Sequence, residues 1–237
     1  MTLLSAEEWG VVALSLRVSA VAIAGCLPVA FALAWLLARR RFPGMILLDA
    51  AVHLPLVLPP VVTGWLLLLA FGANGPAGRL LASTLGLTFM FRWTGAALAS
   101  AVMALPLMVR SIRLSLEAID TRLEDAARTL GAGPWRCFWS ITLPLASPGL
   151  LAGLVLGFAR SLGEFGATIT FVASIPGETQ TLPLAIFAAL QTPGGDGEVT
   201  RLAIISVVLS LGALVASEAL VRRGIGGQAR AGRYHAF

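Results

Sequence analysis

The residues of this chain that could do chemistry are few and far apart. Arg160 and Glu164 stand four positions from each other inside an apolar stretch, Arg17 stands in another, and Glu124-Asp125 lie among the arginines of a polar segment. All seventeen basic residues are arginine, so the phosphate-cradling loop G-x-x-x-x-G-K-[ST], whose lysine reaches the nucleotide, is excluded. No H-E-x-x-H, G-x-S-x-G or clustered His/Asp set is present. Cys26 and Cys137 lack the C-x-x-C spacing and read as packing residues, which indicates neither a metal site nor a disulfide. The chain is therefore expected not to be an enzyme and to need no cofactor. What remains is the chemistry of charge in an apolar medium. Arg160 with Glu164 either forms an internal pair along one helix face or faces a polar route for an anion.

The medium follows from composition. The chain is 57% hydrophobic and 12% charged, with a mean hydropathy of +0.87, against roughly 25% charged residues in soluble domains. Its apolar runs exceed the ~20 residues needed to cross a bilayer. Five spans are expected, at about residues 11–38, 45–71, 90–109, 149–175 and 202–221, within a single transmembrane domain covering 1–237 and ending in a short tail, 222–237. The stretch before the first span carries Glu7 and Glu8 and no arginine, so no cleavable leader is expected. Leu182 to Leu190 is too short to cross and precedes the breaker run 192–197, which reads as a helix at the surface or dipping partly in.

Arginine in the connections orients the spans. With the N-terminus outside and the C-terminus inside, the inner connections hold twelve arginines and the outer ones three, Arg79, Arg92 and Arg201. Within the second span, Pro55, Pro59 and Pro60, followed by Thr63, must interrupt the hydrogen-bond ladder, giving either a simple kink or a gate beside a cavity. Arg17 in span one either snorkels outward or adds positive potential to a route. His53 reads as a neutral, hydrogen-bonded helix residue.

The inner connection 111–147 is too patterned to be a mere link. Thr121 and Glu124 spell a capping box, so a helix should start near Thr121, with Leu123, Ala126, Ala127 and Leu130 along one face. Gly131 stands where a left-handed stop is expected, and Trp135, Phe138 and Trp139 form a second apolar face before Pro144 and Pro148 lead into the membrane. Such a helix-turn-helix either seats in a partner's groove or rests on lipid headgroups through Arg122, Arg128 and Arg136.

Here the sequence resembles a known family. Asp125-Ala126-Ala127, Gly131, Ile141 and Leu143-Pro144 reproduce the full spacing of the EAA motif, E-A-A-x3-G-x9-I-x-L-P, of binding-protein-dependent ABC importer permeases. The one departure is Asp125 in place of glutamate, with Glu124 adjacent. The segments 53–60, 128–133, 159–167 and 175–179 further resemble the molybdate permeases, relatives of sulfate/thiosulfate and tungstate permeases. The resemblance implies a type I ABC importer permease fold, all-α, in a prokaryotic inner membrane. It further implies a homodimer, two ATP-binding subunits seated on a coupling helix at about 120–133, and an external protein that delivers an oxyanion. Membrane lipid is an expected partner and nucleic acid is not. An ion-coupled secondary transporter is disfavoured, because no two-half symmetry is visible and Glu164 is the one acid placed near mid-membrane.

Overall fold

Helix α1 (Ala6–Arg39) begins where side chains stop it from fraying. Ser5 Oγ accepts the Glu8 N–H at 3.1 Å while the Glu8 carboxylate accepts the Ser5 N–H at 2.7 Å. The structure, a computed structural model, describes residues 5–231, and among them every regular element is helical. After α1 come α2 (Met45–Val57), α3 (Pro60–Phe71), α4 (Pro76–Leu85) and α5 (Trp93–Glu117), then α6 (Thr121–Thr129), α7 (Pro134–Cys137) and a π turn (Phe138–Thr142). The chain closes with α8 (Leu143–Leu162), α9 (Gly166–Val172), α10 (Leu182–Leu190) and α11 (Asp196–Ala231). Arg233, counted on the inner side, lies outside the described residues.

The centre is α5, clasped between α1 and α8. Lipid is as apolar as a leucine side chain, so helices in it associate through close packing rather than through escape from water. Small residues make that closeness possible. Ala30 and Ala34 of α1, Ala104 of α5 and Ala146 of α8 are all fully buried in one cluster with Met108, Ile112 and Leu116. The opposite faces carry large apolar side chains outward, as Ile204, Val208, Leu211 and Val215 do on α11.

Among the described residues, four helical stretches are long and apolar enough to cross a bilayer. The fifth expected span, 45–71, departs from a continuous helix, because α2 and α3 are bent by 117° at Leu58-Pro59. Pro59 and Pro60 donate no N–H, so the ladder stops there and restarts with Pro60 at the first helical position. The halves sit at different levels: Asp49 pairs with Arg113 at 3.1 Å near the end of α5, whereas Leu67 packs with Ala96 and Ala97 near its start.

Span three is longer than expected. Its helix continues through Glu117, held by the Arg113–Glu117 pair at 2.7 Å. Span four is shorter, because the helix begun at Leu143 stops at Leu162 and resumes only at Gly166. The connection 111–147 correspondingly shrinks to 118–142. Helix α10 is packed on one side: Leu182, Leu184, Ala185 and Ala189 are buried, and the Leu182 N–H donates to Ser15 Oγ of α1 at 2.7 Å. The Arg201 Nε–H donates to Glu8 at 2.8 Å and ties α11 to the start of α1.

Helices α3 and α9 cross at glycine. A Cβ on Gly64 would stand 2.6 Å from the Ala167 carbonyl oxygen, closer than any side chain tolerates. Gly64→Leu should therefore destabilise the fold by about 3 kcal/mol or more. The expected result is a lowered melting temperature of the detergent-purified protein, with Gly10→Leu, which meets open space, as the control.

Candidate functional site

Two places concentrate the residues singled out by the sequence. The first is the knob between α5 and α8. Helix α6 starts one residue earlier in its capping than expected: Asp120 is the N-cap and accepts the Arg122 N–H at 2.9 Å, while Thr121 is already helical. The T-x-x-E capping box does not form, because Glu124 points inward. Its Oε1 receives a hydrogen bond from Arg39 Nη2 of α1 at 2.8 Å and one from the Thr142 hydroxyl of the π turn at 2.8 Å. A buried carboxylate needs such donors, and this need outcompetes a solvent-exposed cap.

The helix ends as expected. Gly131 has φ +83°, a left-handed conformation that costs an L side chain about 1–2 kcal/mol. The Ala132 N–H donates back to the Ala127 carbonyl at 2.9 Å. The face expected to be apolar is apolar, and it is turned away from the rest of the chain. Leu123, Ala126 and Leu130 are exposed, Leu130 by 88%, with Asp125 alongside at 3.1 Å from Arg128. Trp135, 75% exposed, and Trp139 flank Phe138, which packs edge-on against Trp35 and Phe31 of α1. Ile141 and Leu143 are half-buried and Pro144 is exposed. The π turn has a local cause. The ring of Pro144 would collide with the carbonyl four residues back, so the Leu143 N–H reaches Phe138 O instead.

The second place is where the two broken crossings meet. Arg160 Nη1 lies 2.6 Å from Glu164 Oε2, so the pair forms, but not along one continuous helix. Glu164 sits in the gap between α8 and α9, its side chain 1% exposed, and its Oε1 accepts the Ala167 N–H at 2.9 Å. It thereby supplies negative charge to the start of α9, where free N–H groups collect. The prolines of the other break are adjacent, since a Cβ on Gly166 would lie 2.8 Å from Pro60 Cβ. Thr63 Oγ1 and Ser161 Oγ are buried there and have no hydrogen-bond partner among the described residues. Pro55 lies within α2, before the bend.

Arg17 does not join this group. Its guanidinium lies over the Trp93 ring, 3.8 Å from the centroid, beside a cavity of about 630 Å³ that Arg92 and Glu178 also line. His53 is bonded through Nδ1 to the Asp49 carbonyl at 2.9 Å, and both cysteines are buried and free. Sequence reasoning missed three things: the partnership of Arg39 with Glu124, the hydroxyl of Thr142, and the short helix α4. Arg39 was one of three consecutive arginines and carried no mark of its own.

Comparison with known proteins places these features in context. Residues 27–224 match the family described as binding-protein-dependent transport system inner membrane component. The molybdenum transport system permease protein ModB of Escherichia coli (strain K12) is 57% identical over 220 residues, covering 93% of this chain and 96% of that protein. The sulfate transport system permease protein CysT of the same organism is 43% identical over 159 residues, 67% of this chain and 57% of that one. Among solved structures, a bacterial alginate ABC transporter in complex with alginate pentasaccharide-bound periplasmic protein superposes with a TM-score of 0.73 at 19% identity. It covers 92% of this chain and 80% of that one, and so shares the fold.

The Arg160–Glu164 pair predicts its own energetics. Removing the cation leaves a buried carboxylate uncompensated, so Arg160→Met should cost about 3–5 kcal/mol, whereas Arg160→Met with Glu164→Gln should recover most of it. Thermal unfolding of the detergent-purified proteins measures both.

Proposed function

The chain belongs to the binding-protein-dependent transport system inner membrane components, and from that premise we propose that it is the permease subunit of a molybdate importer. It is a multi-pass inner-membrane transport protein and not itself an enzyme. ATP hydrolysis belongs to a separate subunit of such systems, in keeping with the missing phosphate-loop lysine. The observation that carries the choice of cargo is the 57% identity to a molybdenum permease over nearly the whole of both chains. The likeness to a sulfate permease is lower and covers little more than half of that relative.

The knob is assigned as the coupling element. Asp125, Ala126, Ala127 and Gly131 lie on its outer side, Glu124 holds it from within, and Ile141, Leu143 and Pro144 lead it into α8. Exposed Leu123, Leu130, Trp135 and Trp139 give the apolar area that a groove on an ATP-binding subunit would cover. Two such subunits serve a homodimer of this chain. The dimer is supported by the bend of α2–α3, where 59–62 are exposed. Interrupted backbone at membrane depth is stable only where protein shields it or water lines it, and a second copy supplies both.

The route is assigned to the meeting of the breaks: Pro55, Pro59, Pro60 and Thr63 on one side, Arg160, Ser161 and Glu164 on the other, with Arg17 near the outer mouth. An oxyanion arrives there from an external binding protein. Arg160, about a quarter exposed and paired with Glu164, is the cation that such cargo would meet there.

Two measurements test the reading. The complex with its ATP-binding subunit and binding protein, reconstituted in liposomes, should accelerate ATP hydrolysis when the binding protein carries molybdate or tungstate and not when it is offered sulfate; acceleration by sulfate alone would transfer the chain to the sulfate group. Gly131→Glu should abolish association with the ATP-binding subunit and molybdate uptake while membrane insertion stays intact, and normal uptake in that variant would remove the coupling assignment.

A further inference from the structure

Helix α6 has one buried residue, and it is charged. Glu124 is 7% exposed, while its other side chains face outward or lie at the edge. A nine-residue helix normally stays on its protein through an apolar stripe. Here the stripe faces the opposite way, and what holds the helix is a carboxylate with two donors on one oxygen, Arg39 Nη2 and Thr142 Oγ1, each at 2.8 Å. The other carboxylate oxygen lies 4.0 Å from Arg128. The donors come from different elements: Arg39 is the last residue of α1, and Thr142 closes the π turn that feeds α8. A parallel aromatic contact joins the same two elements, with Arg39 over the Trp35 ring and Trp35 edge-on to Phe138 at 5.6 Å.

Resting on the assignment of α6 as the coupling element, we propose that Arg39 and Thr142 are positioning residues of coupling, which through Glu124 lock α6, the inner end of α1 and the π turn into one rigid body. An apolar contact lets a helix slide or roll. A charge-assisted bond sharing one acceptor between two donors is directional, and it keeps α6 from turning without α1 and α8. The chain joins α6 to α5 and, through α7, to α8, and the Thr142 bond reinforces the second link; the bond to Arg39 adds α1, which lies 85 positions away in sequence. A push on α6 from the ATPase then reaches both helices that clasp α5.

The test uses the full complex of permease, ATP-binding subunit and molybdate-loaded binding protein in liposomes. Arg39→Gln should co-purify with the ATP-binding subunit and keep its hydrolysis rate without binding protein. Its stimulation by molybdate-loaded binding protein should fall about tenfold, within the range of couplings of this kind. Arg39→Lys, which keeps the cation, should retain most of the stimulation. A merely structural prop would instead lower assembly and both hydrolysis rates in parallel. Full stimulation in Arg39→Gln overturns the inference. If Arg39→Gln fails to assemble, Thr142→Val, which leaves both charges in place, decides: reduced stimulation at normal assembly supports the clamp, and wild-type stimulation overturns it. Gly131→Glu run beside these separates the two levels. Uncoupling there with none in the Arg39 and Thr142 variants removes the clamp alone, while coupling retained in all of them removes the coupling element itself.

Discussion

Inside hydrocarbon a backbone amide has no water to bond, so each polar group of the main chain must find its partner within the protein. Long helices meet this demand almost everywhere in the chain. Among the described residues two interruptions, one created by Pro59 and Pro60 and the other the gap from Gly163 to Phe165, lie against each other. Each break is made tolerable by its neighbour. Glu164 satisfies the start of α9 and is itself neutralised by Arg160, while glycine at 64 and 166 lets the second broken crossing approach to backbone contact. A buried ion pair, two interruptions of the helical backbone and the hydroxyls of Thr63 and Ser161, unpartnered among the described residues, are thereby collected in one region of the fold.

The inner face is organised by a different economy of forces. In water, exposed leucine and tryptophan invite a partner, and the knob offers both on the side away from its own chain. The buried side chain that attaches α6 to the rest of the protein is polar, Glu124. On the proposed assignment, this division leaves the apolar surface of α6 for recognition and its ionic contact for transmission, so that docking would not compete with the bond that holds the helix in place.

Much of this architecture was legible in the sequence, because the strongest signals were long and periodic. Apolar runs, arginine asymmetry and the 120–144 motif each extend over many residues, and the helical crossings, the α6 helix and the left-handed Gly131 follow them. What escaped was decided by tertiary competition. Thr121 and Glu124 have the spacing of a capping box, yet the carboxylate is worth more to a buried guanidinium than to an exposed amide. Span four looked continuous because Gly163-Glu164-Phe165 carries no proline, and only the pairing of Glu164 with the Ala167 amide reveals why the helix restarts. Span two announced its prolines but not the size of the bend, which depends on what α3 packs against.

The π turn at 138–142 has a consequence of its own. Such a turn accommodates one extra residue, and each residue advances an α-helix by about 100°. Everything from Leu143 onward is thus phase-shifted relative to α7. The proline that forces the widening therefore works as an indexing device, setting the angular register between α7 and α8.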